Sequence, residues 1–441
     1  MGYELDMSKY FMTLDKVSLI QLIGKITKVT GMMLESEGPD TSIGSICRIY
    51  SKESDKTIDA ETLGFRNKKV LLMPLNDLRG VGPGSIVKEV DKSAGLQVGK
   101  SLLGRVIDGL GFPIDGKGPI PTEEKYPIYK EPTNPILRPR INEIVETGIR
   151  SIDGLLTVGY GQRIGIFSGS GIGKSYMLGM IARHSHADVN IIGLIGERGR
   201  EVNEFIEKEL GEEGLKKSVV IAATSDNPPL IRLRGAFIAT TIAEYFRDQG
   251  FNVNLLMDSV TRIASSQREI GLSLGEPPTT KGYTPSVFTL LPKLLERTGT
   301  CIGKGKITGF YTVLVEGDDM NDPIADAIRS IIDGHIVLTR ELANQNQYPA
   351  IDILKSNSRV MNGIISLEHL EYANKYKSIL ATYKKTEDLI NIGAYTSGAN
   401  PEIDLAVKLN EKMKAYIKQS VDTVVQFEDS IKQLKDIVTN N

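Results

Sequence analysis

The fold is decided at residues 168–175, which read Ser-Gly-Ser-Gly-Ile-Gly-Lys-Ser. An apolar run at 163–167 precedes this stretch, and a helix-like segment at 176–183 follows it. A strand, a glycine-rich turn and a helix start bring successive backbone N–H groups onto one phosphate. Lys174 adds a point charge for the β- and γ-phosphates, and the hydroxyl of Ser175 can bind Mg²⁺.

The stretch departs from the phosphate-loop pattern at its first position, where Ser168 stands in place of glycine. An ordinary strand-to-helix turn is the alternative interpretation. Such a turn needs one glycine, whereas this one has three in alternation, followed by Lys-Ser. The segment therefore predicts nucleotide binding.

Length and composition are those of an ordinary globular protein. The chain has 441 residues, of which 40% are hydrophobic and 24% charged, and this length predicts roughly two to four domains. A net charge of −2 argues against a dedicated nucleic-acid surface, so we expect no nucleic-acid partner. Two cysteines imply no disulfide framework. We find neither a secretory signal nor an uncharged apolar run long enough to cross a bilayer, and we expect a cytoplasmic protein that reaches membranes through partners.

Different patterns follow one another along the chain. Residues 21–92 carry short β-like runs separated by Gly, Asp and Pro, which favours a small antiparallel barrel or sandwich. Residues 104–140 form a turn-rich connector. From 160 to 355 strands and helices alternate, as in a mostly parallel sheet, and 366–441 has apolar residues at helical spacings. The strands predicted for the sheet are 163–167, 189–195, 218–223, 252–257, 308–315 and 335–338.

Two carboxylates follow apolar strands beyond the phosphate loop. Asp258 closes the run 253–258, where a carboxylate can hold the Mg²⁺ shell, although any strand can end in Asp. Glu197 follows another such run and could polarise the attacking water, whereas the alternative is a helix-terminal Glu favoured by the helix dipole. Its neighbour Arg198 could bind a phosphate oxygen or simply pair with an acid.

Arg359 lies far along the chain from the phosphate loop. It could serve as an arginine finger in the site of a neighbouring subunit, while a surface arginine in a salt bridge is the alternative. The four histidines do not predict a metal site. His184 and His186 lie two apart in a helical stretch and face different ways, and His335 and His369 are isolated.

Several segments resemble known proteins over nearly the whole chain, from about residue 20 to about residue 440. Residues 103–109, 147–153 and 196–202 resemble the rotary ATP synthase catalytic subunit and its secretion relatives. The segments that look most like the flagellar type III protein-export ATPase are 258–262, 267–271, 275–278, 282–288 and 348–352.

The resemblance implies an α/β fold, with a RecA-like P-loop ATPase core, an N-terminal β-barrel and a C-terminal α-helical domain. The expected bounds are 1–92, 93–364 and 365–441. By resemblance Lys174, Glu197, Arg198 and Arg359 are catalytic, Ser175 and Asp258 hold Mg²⁺, and Tyr348 stacks on adenine. The expected nucleotide-binding residues are Gly169, Ser170, Gly171, Ile172, Gly173, Lys174, Ser175 and Tyr348.

These matches predict a homohexameric, Mg²⁺-dependent ATPase that energises flagellar protein export and associates peripherally with the membrane export apparatus. The expected partners are an export regulator, a coiled-coil stalk protein, export-gate membrane proteins, export substrates and their chaperones. The alternatives are the ATPase of a virulence injectisome, an ATP synthase catalytic subunit and a non-enzymatic nucleotide-binding ring. An RNA-translocating hexamer is disfavoured because no basic–aromatic platform is evident.

Three segments are candidate partner contacts. The acidic stretch 316–323 resembles the loop that faces a central stalk in the rotary relatives, and a solvated, capped turn is the alternative. The Pro-Pro and glycine-rich loop 271–285 is a second candidate for lining the channel. Residues 1–20 are the family-based expectation for binding the regulator.

Overall fold

The computed structural model describes residues 22–51, 56–92, 94–315, 317 and 319–439. The chain divides into two compact units, one ending at Ala94 and the other beginning at Gly95. No helix among the described residues is both long and apolar enough to cross a membrane. The predicted regulator segment 1–20, and Glu316 and Asp318 of the predicted stalk loop, lie outside the described residues.

The first unit is a closed antiparallel barrel. Its strands are β1 Ile23–Thr30, β2 Met33–Glu37, β3 Ile46–Tyr50, β4 Thr57–Arg66, β5 Lys69–Pro74 and β6 Ile86–Asp91. Their order around the barrel is β1-β2-β5-β4-β3-β6. Alternate strand residues point inward, so Leu34, Cys47, Ile49 and Leu72 are fully buried in its core. The predicted N-terminal barrel is confirmed.

The second unit is built on an eight-stranded sheet with the order β18-β17-β12-β16-β15-β13-β14-β8. All of its pairings are parallel except that between β17 and β18. The strands are β8 Val106–Asp108, β12 Arg163–Ser168, β13 Val189–Ile195, β14 Ser218–Ala223, β15 Val253–Asp258, β16 Ile307–Leu314, β17 Gly334–Leu338 and β18 Asn357–Ser358. Two small pairs stand apart: β7 Gly95–Val98 with β9 Glu124–Pro127, and β10 Ile144–Val145 with β11 Val158–Gly159.

Helices connect and cover these strands. They are α1 Arg150–Leu155, α2 Lys174–His184, α3 Gly199–Glu204, α4 Gly211–Lys216, α5 Pro229–Asp248, α6 Val260–Ser273, α7 Pro285–Leu295, α8 Pro323–Ile331, α9 Arg340–Asn344, α10 Met361–Ile364, α11 Leu367–Asn391, α12 Pro401–Ile417 and α13 Phe427–Thr439. A π-helical turn, Phe205–Leu210, joins α3 to α4.

The continuous apolar runs became strands because both faces of the sheet are covered. Every residue of β13 and of β14 is buried, which only a sheet packed on both sides allows. The six strands predicted from 163 to 338 all occur, each within one residue of its expected ends. The turn-rich connector adds a further strand to this sheet, β8, which pairs with β14 at the sheet edge.

The C-terminal helices pack directly on the sheet unit. Tyr376 of α11, Leu409 of α12 and Leu434 of α13 belong to the same apolar cluster as Ile166 of β12. This cluster is the main core of the second unit, and it fixes the helices beside the phosphate loop. The predicted α/β fold with a C-terminal helical region is confirmed.

Candidate active site

The phosphate loop lies between β12 and α2. Gly171 and Gly173 have φ values of 77° and 93°, a left-handed conformation that favours glycine. A Cβ atom at Gly173 would also lie 3.3 Å from the ring of Tyr348. Ile172 is buried, so its side chain anchors the loop in the core while the backbone around it faces the cavity. Two of the three alternating glycines therefore have a conformational reason in this turn.

Lys174, the first residue of α2, lies between two carboxylates. Its Nζ donates a hydrogen bond to Oε1 of Glu197 at 3.1 Å and another to Oδ1 of Asp258. Thr312 on the intervening strand β16 donates from Oγ1 to Oδ1 of Asp258 at 2.7 Å. Because parallel strands end at one edge of the sheet, β12, β13, β15 and β16 bring these groups together.

The lysine stays charged in this environment. Burial favours the neutral amine, but the carboxylates of Asp258 and Glu197 outweigh it and raise the pKa of Lys174 above its usual value. The side chains of Lys174 and Asp258 are almost completely buried. The site therefore holds a fixed ammonium group that can exchange carboxylate partners for phosphate oxygens.

A cavity of about 350 Å³ opens over this cluster. Arg198 lies at its rim, where its side chain is 81% exposed and its guanidinium pairs with Glu201 at 3.1 Å. The structure thus brings Lys174, Ser175 and Glu197 to one cavity and leaves Arg198 pointing to solvent. The lining residues are Gly169, Ser170, Gly171, Gly173, Lys174, Ser175, Tyr176, Gly196, Glu197, Arg198, Glu201, Ser225, Arg262 and Leu314.

The site offers oxygen ligands that suit Mg²⁺ when a bound substrate supplies the remaining ligands. Ser175 offers an exposed hydroxyl at the cavity wall, and Asp258 offers a carboxylate beneath Lys174. Among the described residues no group of three or more His, Cys, Asp or Glu side chains could hold a metal alone. Mg²⁺ is commonly held by one or two protein oxygens together with substrate phosphates, so the set fits that ion.

A second cavity, of about 520 Å³, adjoins the phosphate loop. Tyr348, which is 37% exposed, lines it together with residues 418–421, which follow α12. Gly173 and Tyr176 line both cavities. One ligand with a triphosphate at one end and a flat ring at the other could therefore occupy both.

Arg359 lies at the other end of the sheet. Its N–H donates to the carbonyl oxygen of Asp333 at 3.0 Å, just before β17 begins. The phosphate loop follows Ser168, which pairs with Leu338 at the far end of the same strands. A strand of this length separates the two ends by about 17 Å. Arg359 is therefore not part of the site formed by its own chain.

The predicted stalk loop, 316–323, contacts the candidate channel loop, 271–285. Asp322 accepts the N–H of Ile324 at 3.0 Å and so caps α8. Its other carboxylate oxygen accepts from Nζ of Lys281, in the loop 271–285, at 3.1 Å. Lys281 also lies 3.7 Å from the carboxylate of Asp319. The capped turn, which is the alternative interpretation of 316–323, is therefore present together with a contact between the two loops.

Three family models and several known proteins match this chain. The nucleotide-binding domain of the ATP synthase alpha/beta family matches residues 148–358, and its beta-barrel domain matches 26–90. The T3SS EscN ATPase C-terminal domain matches 365–436. The flagellum-specific ATP synthase of Bacillus subtilis (strain 168) is 55% identical over 424 residues, covering 95% of each chain. The chain belongs to the ATP synthase alpha/beta family.

Solved structures of a family member agree with this result. The assembled ATPase EscN of the enteropathogenic E. coli type III secretion system matches with a TM-score of 0.90 and 47% identity, over 94% of this chain and 100% of that chain. EscN in complex with its central stalk EscO matches with a TM-score of 0.87 and 46% identity over the same shares. The predicted resemblance to the flagellar export ATPase is confirmed.

Sequence reasoning missed two residues that hold the wall of the second cavity. Gln419 is 6% exposed, and its N–H donates to the carbonyl oxygen of Tyr348 at 2.9 Å. Its amide donates to Gly148 at 2.8 Å and accepts the N–H of Arg150 at 2.9 Å. The Arg150 guanidinium in turn donates to the carbonyl oxygens of Tyr416 and Lys418. Gln419 lies 271 residues after Gly148 and 269 after Arg150, so only the folded structure brings them into contact.

We expect Gln419→Ala to raise KM for ATP about 5- to 20-fold while leaving kcat within about twofold, because it loosens a binding wall and touches no reacting group. Steady-state ATPase assays measure both constants. Gln426→Ala, a substitution shortly before α13, is the control and should leave KM unchanged. A fall in kcat without a change in KM would contradict this role.

Proposed function

We propose that this chain is a Mg²⁺-dependent ATPase that energises flagellar protein export as a ring of identical subunits. One observation carries the proposal. The chain holds a phosphate loop with Lys174 and Glu197 at one end of its sheet, and an exposed arginine, Arg359, at the other end. Identical subunits in a closed ring could complete one another's sites, because each would present both surfaces.

The residues would divide the chemistry as follows. The loop N–H groups and Lys174 would hold the triphosphate, and Tyr348 would stack on the adenine. Glu197, released from Lys174, would orient the attacking water and accept its proton. Mg²⁺ held by Ser175 and the Asp258 shell would neutralise charge on the β- and γ-phosphates. Arg359 of a neighbouring subunit would stabilise the charge that develops in the transition state.

The proposal extends to the partners and domain bounds. The assembled EscN and its complex with the central stalk EscO support self-assembly and a stalk partner for this chain as well, and we propose that this stalk is a coiled coil. We place the domains at 1–92, 93–364 and 365–441, and the protein at the cytoplasmic face of the export gate with its regulator, substrates and chaperones. An injectisome ATPase is the second candidate because EscN itself serves a type III secretion system.

Steady-state ATPase assays combined with size-exclusion light scattering test the proposal. Specific activity should rise steeply over the concentration range in which monomers become rings, because each site lacks an arginine until a neighbour arrives. The assay needs only the purified full chain, ATP and Mg²⁺. Specific activity that stays constant from monomer to ring would overturn the proposal.

A further inference from the structure

The backbone of Arg359 is held by a hydrogen bond, and its side chain is exposed. Arg359 follows β18, the short strand Asn357–Ser358 that pairs antiparallel with β17. Its N–H is bound to Asp333, while the residue as a whole is exposed. Within the described part of the chain its guanidinium has no hydrogen-bond or ion-pair partner. An unpaired arginine on an anchored backbone is suited to contact a group outside its own chain.

Ser358 and Gln162 provide the first anchor beneath this arginine. Ser358 is 7% exposed, and its hydroxyl donates to the carbonyl oxygen of Thr157 at 2.8 Å. The same hydroxyl accepts from Nε2 of Gln162 at 3.0 Å. Gln162 is fully buried, and its Oε1 accepts the N–H of Gly159 at 2.9 Å. Each polar group of the pair therefore has a fixed partner.

Asp333 provides the second anchor. Its carbonyl oxygen, which binds Arg359, also accepts from Nε2 of Gln162 at 3.3 Å. Its carboxylate accepts the backbone N–H and Nε of Arg163 at 3.0 Å each, and Nη2 at 3.1 Å. Arg163 is the first residue of β12, the strand that ends at the phosphate loop. The arginine is thus tied to the opposite end of that same strand.

We propose that Gln162, Ser358 and Asp333 are positioning residues that aim the Arg359 guanidinium into the site of a neighbouring copy. This inference rests on the proposed function. An arginine side chain is long and flexible, so its point of exit from the backbone decides whether the guanidinium meets the transferring phosphate. A displacement of about 1 Å at such a group can cost about 100-fold in rate.

Ser358→Ala and Gln162→Met test the inference because they remove the first anchor and leave both Arg359 and the Asp333–Arg163 pair in place. Each should lower kcat about 10- to 100-fold, with KM for ATP within about twofold. Ser218→Ala is the matched control, since Ser218 is a buried serine of β14 near the opposite edge of the same sheet. It should keep wild-type kcat.

Mixing of variants then shows which side of the site is damaged. A subunit with a misplaced arginine still has an intact phosphate loop and Glu197. Mixed one to one with Glu197→Gln subunits, each variant should recover about a quarter of the wild-type rate, because a quarter of the interfaces join two intact halves. Mixed with Arg359→Ala subunits, it should show no gain over the average of the two proteins alone.

Three results would overturn the inference. They are wild-type kcat in both variants, recovery on mixing with Arg359→Ala, and loss of the ring by light scattering in both variants. Mixing Arg359→Ala with Glu197→Gln tests the proposed function separately. Arg359→Ala could recover activity when mixed with Glu197→Gln while Ser358→Ala and Gln162→Met do not. That result would reject the positioning role and leave the proposed function standing.

Discussion

Arg359→Ala is expected to lower kcat by about 10³- to 10⁵-fold, which corresponds to about 4–7 kcal/mol of transition-state stabilisation. The guanidinium would meet negative charge that spreads over the phosphoryl oxygens only in the transition state. ATP binding should therefore stay near wild type, because the phosphate loop and the second cavity, which Tyr348 lines, are intact. Steady-state ATPase assays give kcat, and titration with a nonhydrolysable ATP analogue gives the affinity.

Arg329→Ala is the control for this substitution. Arg329 lies on α8, which ends at Ile331 shortly before β17 begins, so it lies at the same end of the sheet as Arg359. Its guanidinium pairs with Asp326 at 2.7 Å, unlike that of Arg359. We expect near-normal turnover from Arg329→Ala. Near-normal turnover from Arg359→Ala would remove the role assigned to it.

The strands and the central cluster could be predicted from the sequence because each depends on local pattern and one rule of topology. Runs such as 189–195 are apolar throughout, which predicts strands buried on both faces. Polar residues at their carboxyl ends must then meet at one edge of the sheet. This rule places Lys174, Glu197 and Asp258 at one edge, and the strand order β12-β16-β15-β13 brings them into hydrogen-bond contact.

The rest depends on contacts between distant parts of the chain. Gln419 lines the second cavity, and Arg150 contacts it there, only because α12 packs on the core. The strand β8 is three residues long within a turn-rich connector, so its own pattern is too short to predict it. The position of Arg359 opposite its own phosphate loop follows from the antiparallel pairing of β18, which no local sequence signal specifies.

Ser168 shows why a departure from a motif can be tolerated. The residue ends β12, between β16 and β17, where it pairs with Leu314 and Leu338. It is 2% exposed, and its hydroxyl has no hydrogen-bond partner within the described residues. The side chain is therefore buried where the strand meets the loop, and its small size suits that position.

Glu197→Gln is expected to lower kcat by about 10²- to 10⁴-fold, because glutamine keeps the shape of the side chain but accepts no proton from water. ATP binding should be retained, since Lys174 keeps its ammonium group and its partner Asp258. Losing one of the two carboxylates beside Lys174 should also ease its transfer to the phosphates. KM should accordingly stay constant or fall.

Single-turnover ATPase assays separate this effect from slow product release. Glu204→Gln is the matched control, because Glu204 ends α3 close by and pairs with Arg200 at 3.1 Å near the surface. It should leave kcat within about twofold, as is usual for an exposed pair outside the reacting groups. A Glu197→Gln enzyme that keeps more than a tenth of wild-type turnover would show that another group accepts the proton. Among the described residues that line the cavity, Glu201 would then be the next carboxylate to test.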